Sequence, residues 1–419
     1  MALSSRGQRS HDYPNFHFDW GLKALGNLYD KNTNPEGMLN LGFAESVLSE
    51  EIVYERMNRQ DEKLELWTQY YFDIRGVKRF RESLAKFLSE RLQPVSALSD
   101  ENIIVTSGVG AALDLLAHAF ADEGDTFLCP APHYSVIRPD VGVRCGVKCF
   151  PIQLPHKDTE SSRAFKITRA LLEEGLARAT NEGHKVKGIV IVNPNNPTGD
   201  VYSEEEMLDI INFSARHDIH LISDEIYALS VFETDVKFRS ILNFDLPKPN
   251  LVHMLWGFSK DFCLAGYRYG VIYTTHPQVT LSARHLSYLA AVPGIIQQKL
   301  CSLIEDKEWI DSFLLTNLAR MKESYDYCSS RLKAMGVHVH KSSAAFFVWA
   351  DFSQFLNPMT KEAEIEFFKT LYFIGVYFTP GSKMSFAQPG WFRINFTQKR
   401  EHIDIALDRL ENILKTLNK

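Results

Sequence analysis

Cysteine is scarce in this chain of 419 residues: six thiols, at Cys129, Cys145, Cys149, Cys263, Cys301 and Cys328. Cys145 and Cys149 lack the second pair that a zinc site would need, and no disulfide framework is implied, so reduced and mostly buried thiols are expected. No apolar run approaches the ~20 residues that cross a bilayer. The first residues, Met1 to Arg9, hold no apolar stretch long enough for a signal peptide. A cytoplasmic protein with no membrane partner is expected. Excess positive charge is also missing: the formal net charge is −6, and no basic block alternates with aromatics, which removes nucleic acid as an expected partner. His338 and His340 have no acidic or cysteine neighbour along the chain, so no metal is expected there.

What is present is an ordinary globular composition, 45% hydrophobic and 23% charged, on a chain longer than one hydrophobic core usually supports. The centre alternates short apolar runs with amphipathic stretches, the pattern of an α/β fold with a mostly parallel sheet covered by helices. Strands are predicted over Asn102–Thr106, Thr126–Cys129, Gly188–Val192, Ile219–Ser223, Val252–Trp256 and Tyr269–Tyr273. Helices are predicted over Val77–Leu92, Gly110–Phe120 and Ser203–His217, the last opening on an N-cap serine with a glutamate three residues on. After Pro293-Gly294 a long amphipathic helix is expected from about Ile295 to Met335, followed by a mixed β and α tail ending in a helix over Glu401–Leu417. This suggests a large domain over 48–295, and a smaller α+β domain built from 296–419 with 1–47 as an N-terminal arm.

Chemistry gathers at the ends of the predicted strands, where open α/β sheets place ligands. In Gly257-Phe258-Ser259-Lys260-Asp261, with Arg268 beyond, one amine stands between a hydroxyl and a guanidinium. A lysine can condense with an aldehyde, and Ser259 and Arg268 can hold a phosphate on the same molecule, which points to pyridoxal 5'-phosphate. The turn Thr106-Ser107-Gly108-Val109-Gly110-Ala111 would offer backbone N–H groups to an anion. Tyr134 could stack on a flat ring or simply pack a strand end. In Asn193-Pro194-Asn195-Asn196-Pro197-Thr198-Gly199, Asn196 offers an amide to a ring hydroxyl. Asp224 leaves a hydrophobic strand and needs either a cationic partner, such as a protonated pyridine nitrogen, or a role as a helix N-cap. Tyr227 follows three residues later and could reach the same hydroxyl as Asn196. Arg393, in an apolar strand, calls for a substrate carboxylate or a surface ion pair.

In this order the residues resemble the fold-type I pyridoxal-phosphate enzymes, within them the class I and II aminotransferases. Gly42-Phe43-Ala44-Glu45-Ser46, Val201-Tyr202-Ser203 and Gly390-Trp391-Phe392-Arg393 are most similar to 1-aminocyclopropane-1-carboxylate synthases and synthase-like proteins. The resemblance implies Lys260 as the Schiff-base lysine and Asp224 as partner of the pyridine nitrogen. It also implies Asn196 and Tyr227 as ligands of the ring hydroxyl, with Tyr134 as the stacking ring. Val109, Gly110, Ala111, Ser259 and Arg268 form the phosphate cup; Arg393 binds the substrate carboxylate, with Ala44, Glu45 and Asn196 near the substrate. Tyr71 would reach the phosphate in a neighbouring subunit, which implies a homodimer with shared sites. Departures occur at Ser46, at Ile74-Arg75 and at Phe262-Cys263-Leu264-Ala265, where the synthase pattern differs. The implied activity is a synthase-like lyase or γ-substitution reaction on S-adenosylmethionine. Amino-acid transamination and cofactor binding without turnover are the alternatives.

Overall fold

A computed structural model of the chain describes residues 3–159 and 162–417. The N-terminal segment is more than an arm. Its β1 (Leu39–Asn40) pairs in parallel with residues 376 and 377, and Leu39 and Leu41 are fully buried. The apolar run Met38 to Leu41 makes this possible, because it has enough greasy surface to enter the core of the C-terminal unit.

The central sheet contains β2 (Ile103–Thr106), β3 (Thr126–Ala131), β4 (Lys148–Gln153), β5 (Val186–Val192), β6 (His220–Asp224), β7 (Val252–Gly257) and β8 (Gly270–Thr274). Their order is β2-β8-β7-β6-β5-β3-β4. Pairings from β4 through β3, β5 and β6 to β7 are parallel, whereas β8 runs antiparallel to both β7 and β2. Most of these strands are buried along their whole length, because helices cover both faces. The edge strand β4 was not expected: it carries Pro151, and a proline weakens a strand signal.

The C-terminal sheet, ordered β12-β13-β10-β9, consists of β9 (His338–His340), β10 (Phe347–Asp351), β12 (Thr379–Pro380) and β13 (Trp391–Asn395). The partner of β1 is β11 (Val376–Tyr377). The expected helix from 295 to 335 is two helices, Gly294–Glu305 and Lys307–Ala334. Asp306 breaks it and caps the second, its carboxylate accepting from Trp309 N–H at 3.1 Å. The second helix joins two cores. Ile310 and Phe313 pack with the sheet, while Met321, Tyr325 and Leu332 pack with the C-terminal unit. The capping box at Ser203 and Glu206 is present. Among the described residues no helix is long and apolar enough to cross a membrane, no group of three or more His, Cys, Asp or Glu could hold a metal ion, and the six cysteines are free.

Candidate active site

The C-terminal ends of β5, β6 and β7 and the head of the helix Val109–Phe120 border a cavity of about 100 Å3. Ala44, Val109, Gly110, Tyr134, Asn196, Asp224, Tyr227, Ser259, Lys260 and Arg268 all line it. Segments far apart in sequence meet here because parallel strands deliver their outgoing loops to one edge.

Lys260 sits on the single turn Phe258–Asp261 that follows β7, and its Nζ donates to Ala44 O at 2.5 Å. Burial, helped by the Arg393 and Arg268 charges and opposed by Glu45, pushes its ammonium down to about 8. Asp224 closes β6. A turn follows it, so the N-cap alternative does not apply; one carboxylate oxygen accepts from Ile226 N–H at 3.2 Å. Burial pushes this carboxyl up to about 7, against small opposing effects of that N–H and of Lys260. Tyr227 Oη is buried without a hydrogen-bond partner. Asn196 Oδ1 accepts from Arg393 Nη1 at 2.9 Å, which leaves the amide N–H groups of Asn196 for a ligand.

At the helix head the cavity offers backbone donors. Ala112 N–H bonds to Gly108 O, so the N–H groups of Val109, Gly110 and Ala111 have no acceptor within their helix. Gly108 has φ +89°, and a Cβ there would lie 2.5 Å from Arg268 Nη2; only glycine lets the guanidinium approach the turn. Ser259 lines the same cavity.

Arg393, in the middle of β13, is 2% exposed. It forms no ion pair among the described residues, so the surface ion-pair alternative does not apply. Its partners are neutral: Asn196 Oδ1, Gly42 O and Thr379 Oγ1, with the guanidinium 4.3 Å over the Phe347 ring and Nε unpartnered. A buried guanidinium in this state lacks a counter-anion.

The structure does not bring every expected residue to the cavity. Tyr71 is wholly exposed. Ala111 contributes its N–H but does not line the space. The Glu45 side chain points to solvent, while its carbonyl accepts from Asn395 Nδ2, Thr397 Oγ1 and Gln398 Nε2 at 2.8, 3.1 and 2.9 Å, clamping the segment that carries Ala44. Leu113, Asp140, Val192 and Ile226 also line the cavity. Val192 and Ile226 could have been proposed from their positions near strand ends, but no spacing marks Asp140.

The unmet groups describe a ligand: a cation opposite Asp224, a hydroxyl near Tyr227 and Asn196, an anion at the helix head, and an electrophilic carbon for Lys260. Pyridoxal 5'-phosphate has all four, so the residues fit it. The Asp224 carboxyl has its pKa raised from 3.8 to about 7, so the unfolded chain gives up this proton earlier than the folded one does. The contribution of Asp224 to stability therefore falls as pH rises from about 4 to about 7. Asp140, Glu225 and Asp261, each pushed up to about 7 chiefly by burial, act in the same sense. Asp224→Asn should stabilise the empty protein by on the order of 2–4 kcal/mol at pH 8 and by little at pH 4. Thermal melts at the two values check this; an equal change at both would contradict it.

Residues 54–410 match the family model described as aminotransferase class I and II. The chain is 33% identical to 1-aminocyclopropane-1-carboxylate synthase-like protein 1 of Mus musculus, over 99% of this chain and 83% of that one. It is 34% identical to the probable inactive 1-aminocyclopropane-1-carboxylate synthase-like protein 2 of Homo sapiens, over 92% of this chain and 69% of that one. Among solved structures, an aspartate aminotransferase of Thermotoga maritima superposes with a TM-score of 0.77, covering 99% of this chain and all of that one; at 24% identity this likeness concerns the fold. With most of its length inside the family model and its lysine, aspartate and arginine placed as described, the chain belongs to the class I and II aminotransferases, a family whose cofactor is pyridoxal 5'-phosphate.

Proposed function

We propose that the protein is an enzyme that takes the proton from Cα of an amino acid, with S-adenosylmethionine as substrate and a lyase or γ-substitution outcome. The observation that carries the Cα chemistry is the enclosure of Lys260 and Asp224 in one cavity, with Arg393 joined to its wall through Asn196. When bound, pyridoxal 5'-phosphate supplies a carbonyl carbon for the substrate nitrogen and a cationic ring that accepts electrons from Cα. Lys260 would hold the carbonyl carbon of the cofactor, and as a free amine it would take the proton from Cα. Asp224 keeps the ring nitrogen charged. Tyr227 and Asn196 hold the ring hydroxyl, while Ser259, Arg268 and the N–H groups of residues 109–111 hold the phosphate. Arg393 exchanges a neutral partner for the substrate carboxylate.

The synthase-like relatives support the choice of S-adenosylmethionine. Transamination, in which Lys260 would both take and return a proton, is favoured by the departures from the synthase pattern; Arg75, for instance, is tied to Asp73 and Glu101. The relative named as probably inactive keeps cofactor binding without turnover as a third outcome. Incubation with S-adenosylmethionine and with an amino-acid panel separates the three. Release of methylthioadenosine supports the proposal, keto acid without it selects transamination, and neither product from cofactor-loaded protein selects binding alone.

A second copy belongs to this reading. Tyr71 is completely exposed, beside Tyr70 at 62% and Leu66 at 66% exposure, as a residue serving a neighbouring subunit would be. Sedimentation that finds only monomer at micromolar concentration would remove the shared site.

A further inference from the structure

We propose that Asp140 is a cofactor-binding carboxyl that faces the phosphate in its protonated form, so that loading of the cavity requires a proton on this residue. The inference rests on the cofactor assignment but not on which reaction follows. Asp140 belongs to the short helix Ile137–Gly142 and lines the same cavity as Asp224 and Arg268. Its carboxyl lies against the second residue of the helix Val109–Phe120: a Cβ at Gly110 would be 3.1 Å from Oδ1 and 3.2 Å from Oδ2. That is the end of the cavity where the free N–H groups of residues 109–111 await an anion. Among the described residues the carboxyl has no hydrogen-bond or ion-pair partner of its own.

The charged and titratable groups around Asp140 come from five elements. Asp224 at the end of β6 and Asp114 on the helix Val109–Phe120 repel its negative charge, and Arg268 attracts it. Tyr134, in the loop after β3, and Tyr13, on the N-terminal segment, are held neutral in part by the same charge. Burial first, then the two carboxylates, push Asp140 up to about 7 in the empty protein. A phosphate added at the helix head brings more negative charge. An ionised Asp140 would repel it, whereas a protonated one can donate an O–H to a phosphate oxygen. Cofactor binding must then raise the Asp140 pKa further. By linkage, this residue's contribution to affinity is complete below pH 7 and falls about tenfold per pH unit above it.

Asp224, Lys260 and the phosphate itself also titrate, so the test is a ratio. Dissociation constants of pyridoxal 5'-phosphate from the cofactor-free full chain are measured for wild type and Asp140→Asn, whose amide is a permanent neutral donor, between pH 6 and 9. Groups that titrate independently of Asp140 cancel in the ratio, and the pyridoxal arm below carries the same Asp224 coupling without the phosphate. The expected result is a wild-type to variant ratio near one at pH 6, rising about tenfold per unit above pH 7. The same measurement with pyridoxal, which lacks the phosphate, should give a flat ratio. A flat ratio for the phosphorylated form overturns the proposal, and so does an equal rise for pyridoxal, which would assign Asp140 to the ring. If Asp140→Asn does not fold, Asp140→Ser, also uncharged, replaces it with the same expectation for the slope. Wild-type protein that takes up no cofactor at any pH would instead defeat the cofactor assignment, and this inference with it.

Discussion

Lys260→Ala should reduce turnover by at least about a thousandfold while leaving the fold intact, because the variant loses both the covalent anchor of the cofactor and the base at Cα. Among the described residues no other amine lines the cavity to stand in for it. The structural cost should be small. The side chain makes one hydrogen bond, to Ala44 O, and its removal takes a desolvated ammonium out of the protein. Steady-state rates on the substrate identified by product analysis, beside a thermal melt, check both halves. A variant that keeps a tenth of the wild-type rate would sink the role given to Lys260; one that fails to fold would sink the estimate of its structural part.

Arg393→Lys is expected to lower kcat/KM by about a hundredfold, mainly through KM. Lysine keeps the charge but cannot present two parallel N–H donors to a carboxylate. The guanidinium also divides its neutral partners among Asn196, Gly42 and Thr379, a spread that a single ammonium cannot match. The control is an amine analogue without the carboxylate: wild type and variant should process or bind it alike. If the variant discriminates against the analogue as strongly as against the amino acid, Arg393 acts on the fold or on the cofactor through Asn196, not on the substrate.

Much of the site could be read from the chain because its loops are punctuated. Asn193 to Gly199 and Gly257 to Gly270 carry prolines, glycines and polar residues directly after buried apolar strands, and such strands are easy to recognise. Direction was harder. Nothing in Gly270–Thr274 tells that β8 runs against its neighbours, because a buried strand has the same composition in either sense. β4 was missed because it lies at the sheet edge and contains a proline. Asp306 escaped notice as a helix break because the amphipathic pattern continues on both sides of it. Asp140 was invisible for another reason: its position depends on packing against Gly110, which lies 30 residues earlier and on a different element. The joint between Arg393 and Asn196 likewise spans the two units, and no local rule reports such a contact.

Two of the buried cations to which we assign chemistry are latched to one short stretch near the N-terminus: Lys260 to the carbonyl of Ala44, and Arg393 to that of Gly42. A protease nick between residues 41 and 46 would spare every side chain assigned to chemistry, yet it would unfasten both cations at once. The first few dozen residues thus act as a clasp, and vulnerability to inactivation lies in a peptide that performs no chemistry itself.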